Sequence, residues 1–329
     1  MNAIDLGSLR PRLPSPLEPV DDERFTRHGV RLLLKRDDLI HPALPGNKWR
    51  KLAPNLTAAA GRPVLTFGGA YSNHLRATAA AGRLLGFPTI GIVRGEELAD
   101  RPLNPSLARC AADGMRLRFV DRATYRRKDV PDVLTSLVER FGGEGREAYG
   151  DCYVVPEGGS NALAARGCAE LGRELSGVSD VVAVACGTGG TLAGLAAGLA
   201  PAPEGRPERP ARALGVPVLR GGFLAEAVSS LQRQAFGGRA GDWWLDERFH
   251  FGGYARTTPE LDAFAADFEQ RHGLPVERLY VAKLLYALVT LTGEGAFPPG
   301  TTVTAVITGS PDPVAGRPPG RTAQSAPSR

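Results

Sequence analysis

VVAVACGTGGTLAGLAAGL, residues 181–199, runs from apolar residues through a glycine-rich break into alanine, leucine and glycine. The pattern reads as a buried strand at 181–185 and a helix at 192–199, joined by Cys186-Gly187-Thr188-Gly189-Gly190-Thr191. The same unit occurs upstream. Residues 64–67 form a short apolar strand, GGAYSNH (68–74) is the break, and a helix begins near Ser72 and runs to Leu85, where Gly86 ends it. Further strands are predicted at 30–34, 89–93, 117–120, 153–155, 213–216 and 303–307. Helices are predicted near 105–112, 133–141, 162–175, from 223 onward, 261–270 and 282–291. Short β-branched runs alternating with helices specify an α/β fold whose mostly parallel sheets carry helices on their faces, arranged here in two layered units.

Outside that alternation the chain is irregular. Residues 1–20 carry Pro11, Pro14, Pro16 and Pro19 and are expected to wrap the surface before the first strand. The loop 201–210 (PAPEGRPERP) reads as exposed. From Pro311 the composition turns to Pro, Gly, Arg and Ser, which predicts a disordered tail over 311–329. A chain of 329 residues, 43% hydrophobic and 23% charged, has room for two domains. No apolar run is long enough to span a bilayer and no basic-then-apolar leader follows Met1, so neither membrane insertion nor secretion is expected, and the expected address is cytoplasmic.

The four cysteines are widely spaced, which points to isolated thiols rather than a zinc knuckle or disulfide scaffold. The five histidines lack metal-ligand spacing, so no metal site is expected. The net charge of +5 is scattered. Its densest stretch, 122–128 (RATYRRK), reads as a solvated loop, so no nucleic-acid partner is expected, although the excess helps to attract anionic ligands.

Several residues can carry chemistry. In KRDDLIHPALPGNKWRKL (35–52), Gly46-Asn47-Lys48 leads into a segment of helical character, which puts Lys48 at or near the first turn. The helix dipole there lowers the pKa of an ammonium, which suits an amine that must be neutral to attack an aldehyde. Taken alone, the stretch equally reads as a solvated lysine beside Arg50 and Lys51. The 186–191 turn reads as a phosphate cradle, its amides and helix start suited to an anion, with a tight strand-to-helix turn that uses glycine for close packing as the alternative. It is neither a Walker A loop nor a dinucleotide fingerprint. Ser72 is a helix cap by default, and with Asn73 and His74 it offers a hydroxyl and amides to a carboxylate. Residues 157–161 (EGGSN) read as a third glycine turn with an N-cap. Tyr254 and Tyr280 read separately as core tyrosines. Thr308 closes the last strand, at a carboxyl edge where ligands of open sheets gather.

In this order, KRDDL with GNKWRKL, YSNHLRATAA, PEGGSNAL, CGTGGTLAG, GGYA and the tyrosine before Lys283 resemble one family. It is the pyridoxal-phosphate (PLP) enzymes of the tryptophan synthase β-like fold (fold type II), in the branch of D-cysteine desulfhydrase and 1-aminocyclopropane-1-carboxylate (ACC) deaminase. The resemblance covers about residues 30–310. It implies two open twisted sheets, with residues 1–48 and 155–310 forming a large PLP-binding domain and 49–154 a small one. It also implies that Lys48 carries PLP as a Schiff base, Asn73 bonds its 3′ oxygen, and Gly187, Thr188, Gly189, Gly190 and Thr191 hold its phosphate. Ser72 with neighbouring amides would bind the carboxylate of a small amino-acid substrate, Tyr254 and Tyr280 would flank the reacting carbons, and Thr308 would face the pyridine nitrogen. A homodimer is implied as well.

There are departures. The residue after the second tyrosine is typically Glu in ACC deaminases and Thr or Ser in desulfhydrases, followed by Gly-Lys. Here it is Val281, followed by Ala282 and Lys283. ACC deaminases carry Leu where this chain has Thr308, and the usual HTGG reads ITGS. These changes speak against ring opening and imply a reshaped pocket. The expected activity is β-elimination with deamination to a 2-oxo acid and ammonia. β-Replacement, an ACC deaminase-like reaction, and a non-catalytic PLP or amino-acid binding protein are the alternatives.

Overall fold

The structure is a computed structural model, and it describes residues 4–44, 46–142, 152–201 and 210–311. Most of the 311–329 tail and of the 201–210 loop therefore lies outside the described residues. Along the chain come β1 (Leu17–Val20), α1 (Glu23–Thr26), β2 (Arg31–Lys35), α2 (Lys48–Ala59), β3 (Val64–Gly68), α3 (Asn73–Leu85) and β4 (Thr89–Arg94). Next are α4 (Pro105–Ala112), β5 (Arg116–Val120), α5 (Arg122–Arg126), α6 (Pro131–Gly142), β6 (Tyr153–Val155), α7 (Ala162–Leu175), β7 (Val181–Cys186) and α8 (Gly190–Leu199). The chain continues through β8 (Arg212–Pro217), α9 (Leu224–Phe236), β9 (Trp243–Leu245), α10 (Pro259–His272), α11 (Val281–Gly293) and β10 (Thr302–Val306).

The strands form two sheets. The larger has the order β1-β2-β10-β7-β8-β9 and the smaller β5-β4-β3-β6. Every pairing is parallel except β1 with β2. Each residue of β3 and β7 is buried, as expected of parallel strands covered on both faces. One apolar cluster lies between the larger sheet and α10–α11, and another between that sheet and α7–α9.

Helix ends follow local chemistry. Ser72 caps α3 by accepting from the Leu75 amide, and Gly86 ends it in the left-handed region. Pro54 sits inside α2 and cannot donate to the Arg50 carbonyl four residues back. There Gly167 of α7 packs so closely that a Cβ would fall 2.1 Å from the Arg50 oxygen.

Three expectations are corrected. The first twenty residues include the strand β1 as well as irregular chain, and β9 also went unread. Both are short sheet-edge strands, and β1 contains Pro19, which an edge tolerates because one side of the strand has no ladder to donate to. The stretch 122–128 keeps Arg122, Arg126 and Arg127 exposed, as expected, but it opens as a helix rather than a loop. Asp121 caps the short helix α5, Tyr125 is buried beneath it, and Lys128 pairs with Glu157 at 3.0 Å. No helix of the described residues is long and apolar enough to cross a membrane.

Candidate active site

The loops after β2, β3, β6, β7 and β10 carry Lys48, Ser72 and Asn73, the 157–161 turn, the 186–191 loop and Thr308 at the carboxyl ends of their strands, while Tyr254 follows β9 and Tyr280 precedes α11. Gly46, with φ +65, lets the 46–48 turn press against the end of β10, where a Cβ would fall 1.6 Å from the Thr308 carbonyl oxygen. Asn47 donates from Nδ2 to Thr191 Oγ1 at 2.8 Å, tying that turn to the start of α8. Lys48 opens α2, as its sequence context predicts. Its pKa falls from the ordinary 10.5 to about 7, chiefly through burial and secondarily through the Lys51 ammonium. The helix dipole at the start of α2 acts in the same direction. Burial dominates, and Arg50 and Lys51, which follow Lys48 on α2, are only 3% exposed. The solvated reading of this stretch is therefore wrong.

The 186–191 loop is enclosed on several sides. Ser160, after β6, shares a 2.5 Å hydrogen bond with Thr188 Oγ1. Lys51 Nζ donates to Ser160 Oγ at 3.0 Å and to the Gly158 carbonyl at 3.3 Å. A Cβ on Gly190 would meet Ser160 Oγ at 2.6 Å and Lys51 Nζ at 3.3 Å, and Gly189 sits at φ +80 beneath Val228. Glycine at 189 and 190 thus keeps backbone amides open beside a lysine and three hydroxyls (Ser160, Thr188, Thr191), a donor set suited to a phosphate.

Ser72 accepts from the Leu75 amide, and its own proton remains available beside the first-turn amides of α3. Asn73 Oδ1 accepts from Arg76, which leaves the Nδ2 hydrogens to donate elsewhere. Thr66 Oγ1 donates to the Val155 carbonyl at 2.7 Å, so it accepts from His74 Nε2–H at 2.8 Å. That fixes the tautomer and leaves His74 Nδ1 a buried acceptor without a partner among the described residues. Burial, then Lys48 and Lys51, hold the His74 pKa well below 6.5, so the ring is neutral.

Tyr254 and Tyr280 meet edge to face with centroids 6.3 Å apart. A Cβ on Gly187 would lie 3.4 Å from the Tyr280 hydroxyl, so that ring reaches the glycine loop. Burial raises both phenol pKa values, which keeps both hydroxyls protonated near neutrality. Tyr254 is 38% exposed and marks the solvent side. Glu277 accepts from the Leu279, Tyr280 and Val281 amides at 2.8, 2.7 and 3.3 Å, capping α11 where Tyr280 itself makes no side-chain cap. Val281 is packed in the core at 1% exposure. Ser310, the other departure, donates to Asp38 at 3.0 Å, and Arg36 binds the same carboxylate.

The sequence reading leaves Lys51, Ser160 and Glu277 outside the site and takes His74 only as part of the start of α3. Their residue types offered the signal, but the contacts that matter cross as many as 109 positions of sequence.

The sequence matches the family of pyridoxal-phosphate dependent enzymes over residues 10–309. The chain belongs to that family. It is 31% identical over 307 residues to a D-cysteine desulfhydrase of Klebsiella pneumoniae, covering 84% of this chain and 85% of that one. It is 33% identical over 186 residues to the bifunctional D-cysteine desulfhydrase/1-aminocyclopropane-1-carboxylate deaminase of Arabidopsis thaliana, covering 52% of this chain and 45% of that one. Among solved structures it superposes on an ACC deaminase homologue with a TM-score of 0.73 at 27% identity, over 90% and 89% of the two chains.

The residues present fit the cofactor of this PLP-dependent enzyme. The glycine loop with Lys51 matches a phosphate. Lys48 titrates close to neutrality, and among the described residues the Nδ1 of His74 and the Nδ2 hydrogens of Asn73 are unspent polar groups on adjacent residues.

Proposed function

We propose that this chain is a lyase that expels a leaving group from the β-carbon of a small amino acid. The balance is amino acid plus water giving a 2-oxo acid, ammonia and the protonated leaving group, the kind of reaction implied by its likeness to a D-cysteine desulfhydrase. One observation carries the reading: the 186–191 loop is bracketed by Asn47, next to Lys48, and by the Tyr280 hydroxyl. When bound, PLP supplies the electron sink for charge developing at the substrate's Cα.

This chain's residues do the rest. Lys51, Ser160, Thr188, Thr191 and the amides of Gly187, Gly189 and Gly190 would hold the phosphate. Lys48 would carry the aldehyde carbon, Asn73 Nδ2 would donate to the ring oxygen, and Thr308 would contact the ring nitrogen. Ser72 and the first-turn amides of α3 bind the substrate carboxylate. As a neutral amine Lys48 would take the Cα proton, and a pKa near neutrality suits that task. Tyr280, kept protonated by burial, delivers a proton to the leaving group, and Tyr254 hydrogen-bonds to it.

Val281 favours elimination over ACC ring opening, since an apolar, core-packed side chain offers no proton or hydrogen bond at that position. The two domains, 1–48 with 155–310 and 49–154, belong to the same proposal and are supported by the two sheets. A homodimer is supported by the family likeness, and a cytoplasmic address by free thiols at Cys110, Cys168 and Cys186.

The test is to incubate PLP-loaded protein with D- and L-amino acids bearing β-leaving groups. Equal yields of ammonia and 2-oxo acid are expected. Turnover that requires an added nucleophile and releases no ammonia would replace elimination with β-replacement.

A further inference from the structure

The segment that presents Tyr254 is strained. Phe251 and Ala255 adopt positive φ (50 and 56) although neither is glycine, and Gly252 and Gly253 between them sit at 86 and 116. Side chains resist that region, and such backbone persists only where surrounding structure holds it. Inside the loop, Gly252 donates to His250 Nδ1 at 2.9 Å and Gly253 to the His250 carbonyl at 3.0 Å. Outside it, Phe251 packs edge to face on Tyr286 of α11, with centroids 5.0 Å apart.

The remaining hold comes from Lys283, the second residue after Val281 on α11. Its side chain is wholly buried, and Nζ donates to the His250 carbonyl at 2.9 Å and the Gly253 carbonyl at 3.0 Å. A buried lysine is costly unless its donors are satisfied, and here two of them go to one carbonyl just before the strained turn and one in its middle. Lys283 lies three residues after Tyr280, whose backbone Glu277 holds from the other side. One stretch of chain, 277–283, thus fixes both rings of the tyrosine pair.

We infer that Lys283 is the positioning residue for Tyr254: by pinning the His250 and Gly253 carbonyls to α11 it sets where the Tyr254 ring stands against Tyr280. The inference rests on the proposed function only for the catalytic consequence, since the clamp itself is a property of the fold.

Lys283→Met keeps the length and apolar stem of the side chain and removes its donors. Amide exchange by mass spectrometry on the full chain is expected to speed up about tenfold or more at residues 250–256, with the rest of α11 unchanged. In PLP-loaded protein the visible cofactor band should persist while kcat falls about tenfold, with KM altered much less. On a Tyr254→Phe background the same change should cost less than about twofold, because both substitutions remove one contribution. Additive losses, or unchanged exchange at 250–256, would overturn the clamp. If Lys283→Met does not fold, wild-type exchange decides. The Gly253 and Arg256 amides bond to the same two carbonyls and should be protected like α11, and rapid exchange there would refute the inference. Wild-type protein with no cofactor band and no turnover would instead sink the proposed function, leaving the exchange result to judge the clamp.

Discussion

At the scale of single residues, the site costs stability where it gains chemistry. The Lys48 pKa is depressed from 10.5 to about 7, so the unfolded chain binds more protons between those values. The apo protein should therefore grow more stable as pH rises through that window. Lys48→Met removes the titration. It should abolish turnover yet stabilise the cofactor-free protein by about 1–3 kcal/mol at pH 7, read from urea unfolding. A destabilised variant would contradict the burial argument. Tyr280→Phe should cut kcat by about 100-fold while the cofactor band stays, and an unchanged kcat would remove Tyr280 from the chemistry. Lys48, Ser72 and the glycine loop were legible because each lies at a helix start marked by its own neighbours. The roles of Lys51 and Ser160 were not, because each is defined by the other across the two sheets' loops.

At the scale of elements, the α7–α8 contact decides how tightly the 186–191 glycine loop is mounted. A Cβ on Gly194 would fall 2.1 Å from the Ala165 carbonyl oxygen, and one on Gly198 1.9 Å from that of Ala169. Backbone cannot yield there as a side chain can. Gly198→Ala should cost about 3 kcal/mol or more in urea unfolding. Gly190→Ala meets side chains rather than backbone, Ser160 at Oγ and Cβ and Lys51 at Nζ, so it should weaken PLP binding at least about tenfold with a smaller loss of stability. Equal stability losses for the two would show that both glycines serve packing alone. The helices at 105–112 and 162–175 and the strand at 153–155 were read to the residue, because proline, asparagine and glycine bound them. The edges β1 and β9 escaped, since three or four residues with a proline or paired tryptophans show no usable period.

At the scale of the molecule, one buried ionic network joins the stretch before Lys48 to the larger sheet's helices. Arg50 on α2 bonds Asp37 through Nε and Nη2 at 2.8 and 2.9 Å and Glu174 on α7 through Nη1 and Nη2 at 2.9 Å each. Lys35 pairs with Glu174 at 2.6 Å and donates to the Ser15 carbonyl at 2.6 Å. Burial works against the Glu174 carboxylate, but hydrogen bonds from Arg50 and Lys35 prevail and hold its pKa below 4.5. The stability it contributes is thus present above pH 4.5 and lost as pH falls through the lowered value. Arg50→Met removes the ion partner of buried Asp37, while Glu174 keeps Lys35, and should cost about 3–5 kcal/mol. A loss below about 1 kcal/mol in urea unfolding would mean that solvent replaces the arginine. Sequence displayed the KRDD and WRKL stretches but not their partner, because Glu174 lies 124 positions from Arg50.

The central claim is that Lys48, rather than its buried neighbour Lys51, bears the cofactor. The most direct measurement is the visible absorbance of PLP-loaded protein before and after borohydride, followed by peptide mapping of the reduced adduct. The account expects a band that borohydride removes and an adduct on Lys48. No band after adding PLP, or an adduct on Lys51, would contradict it.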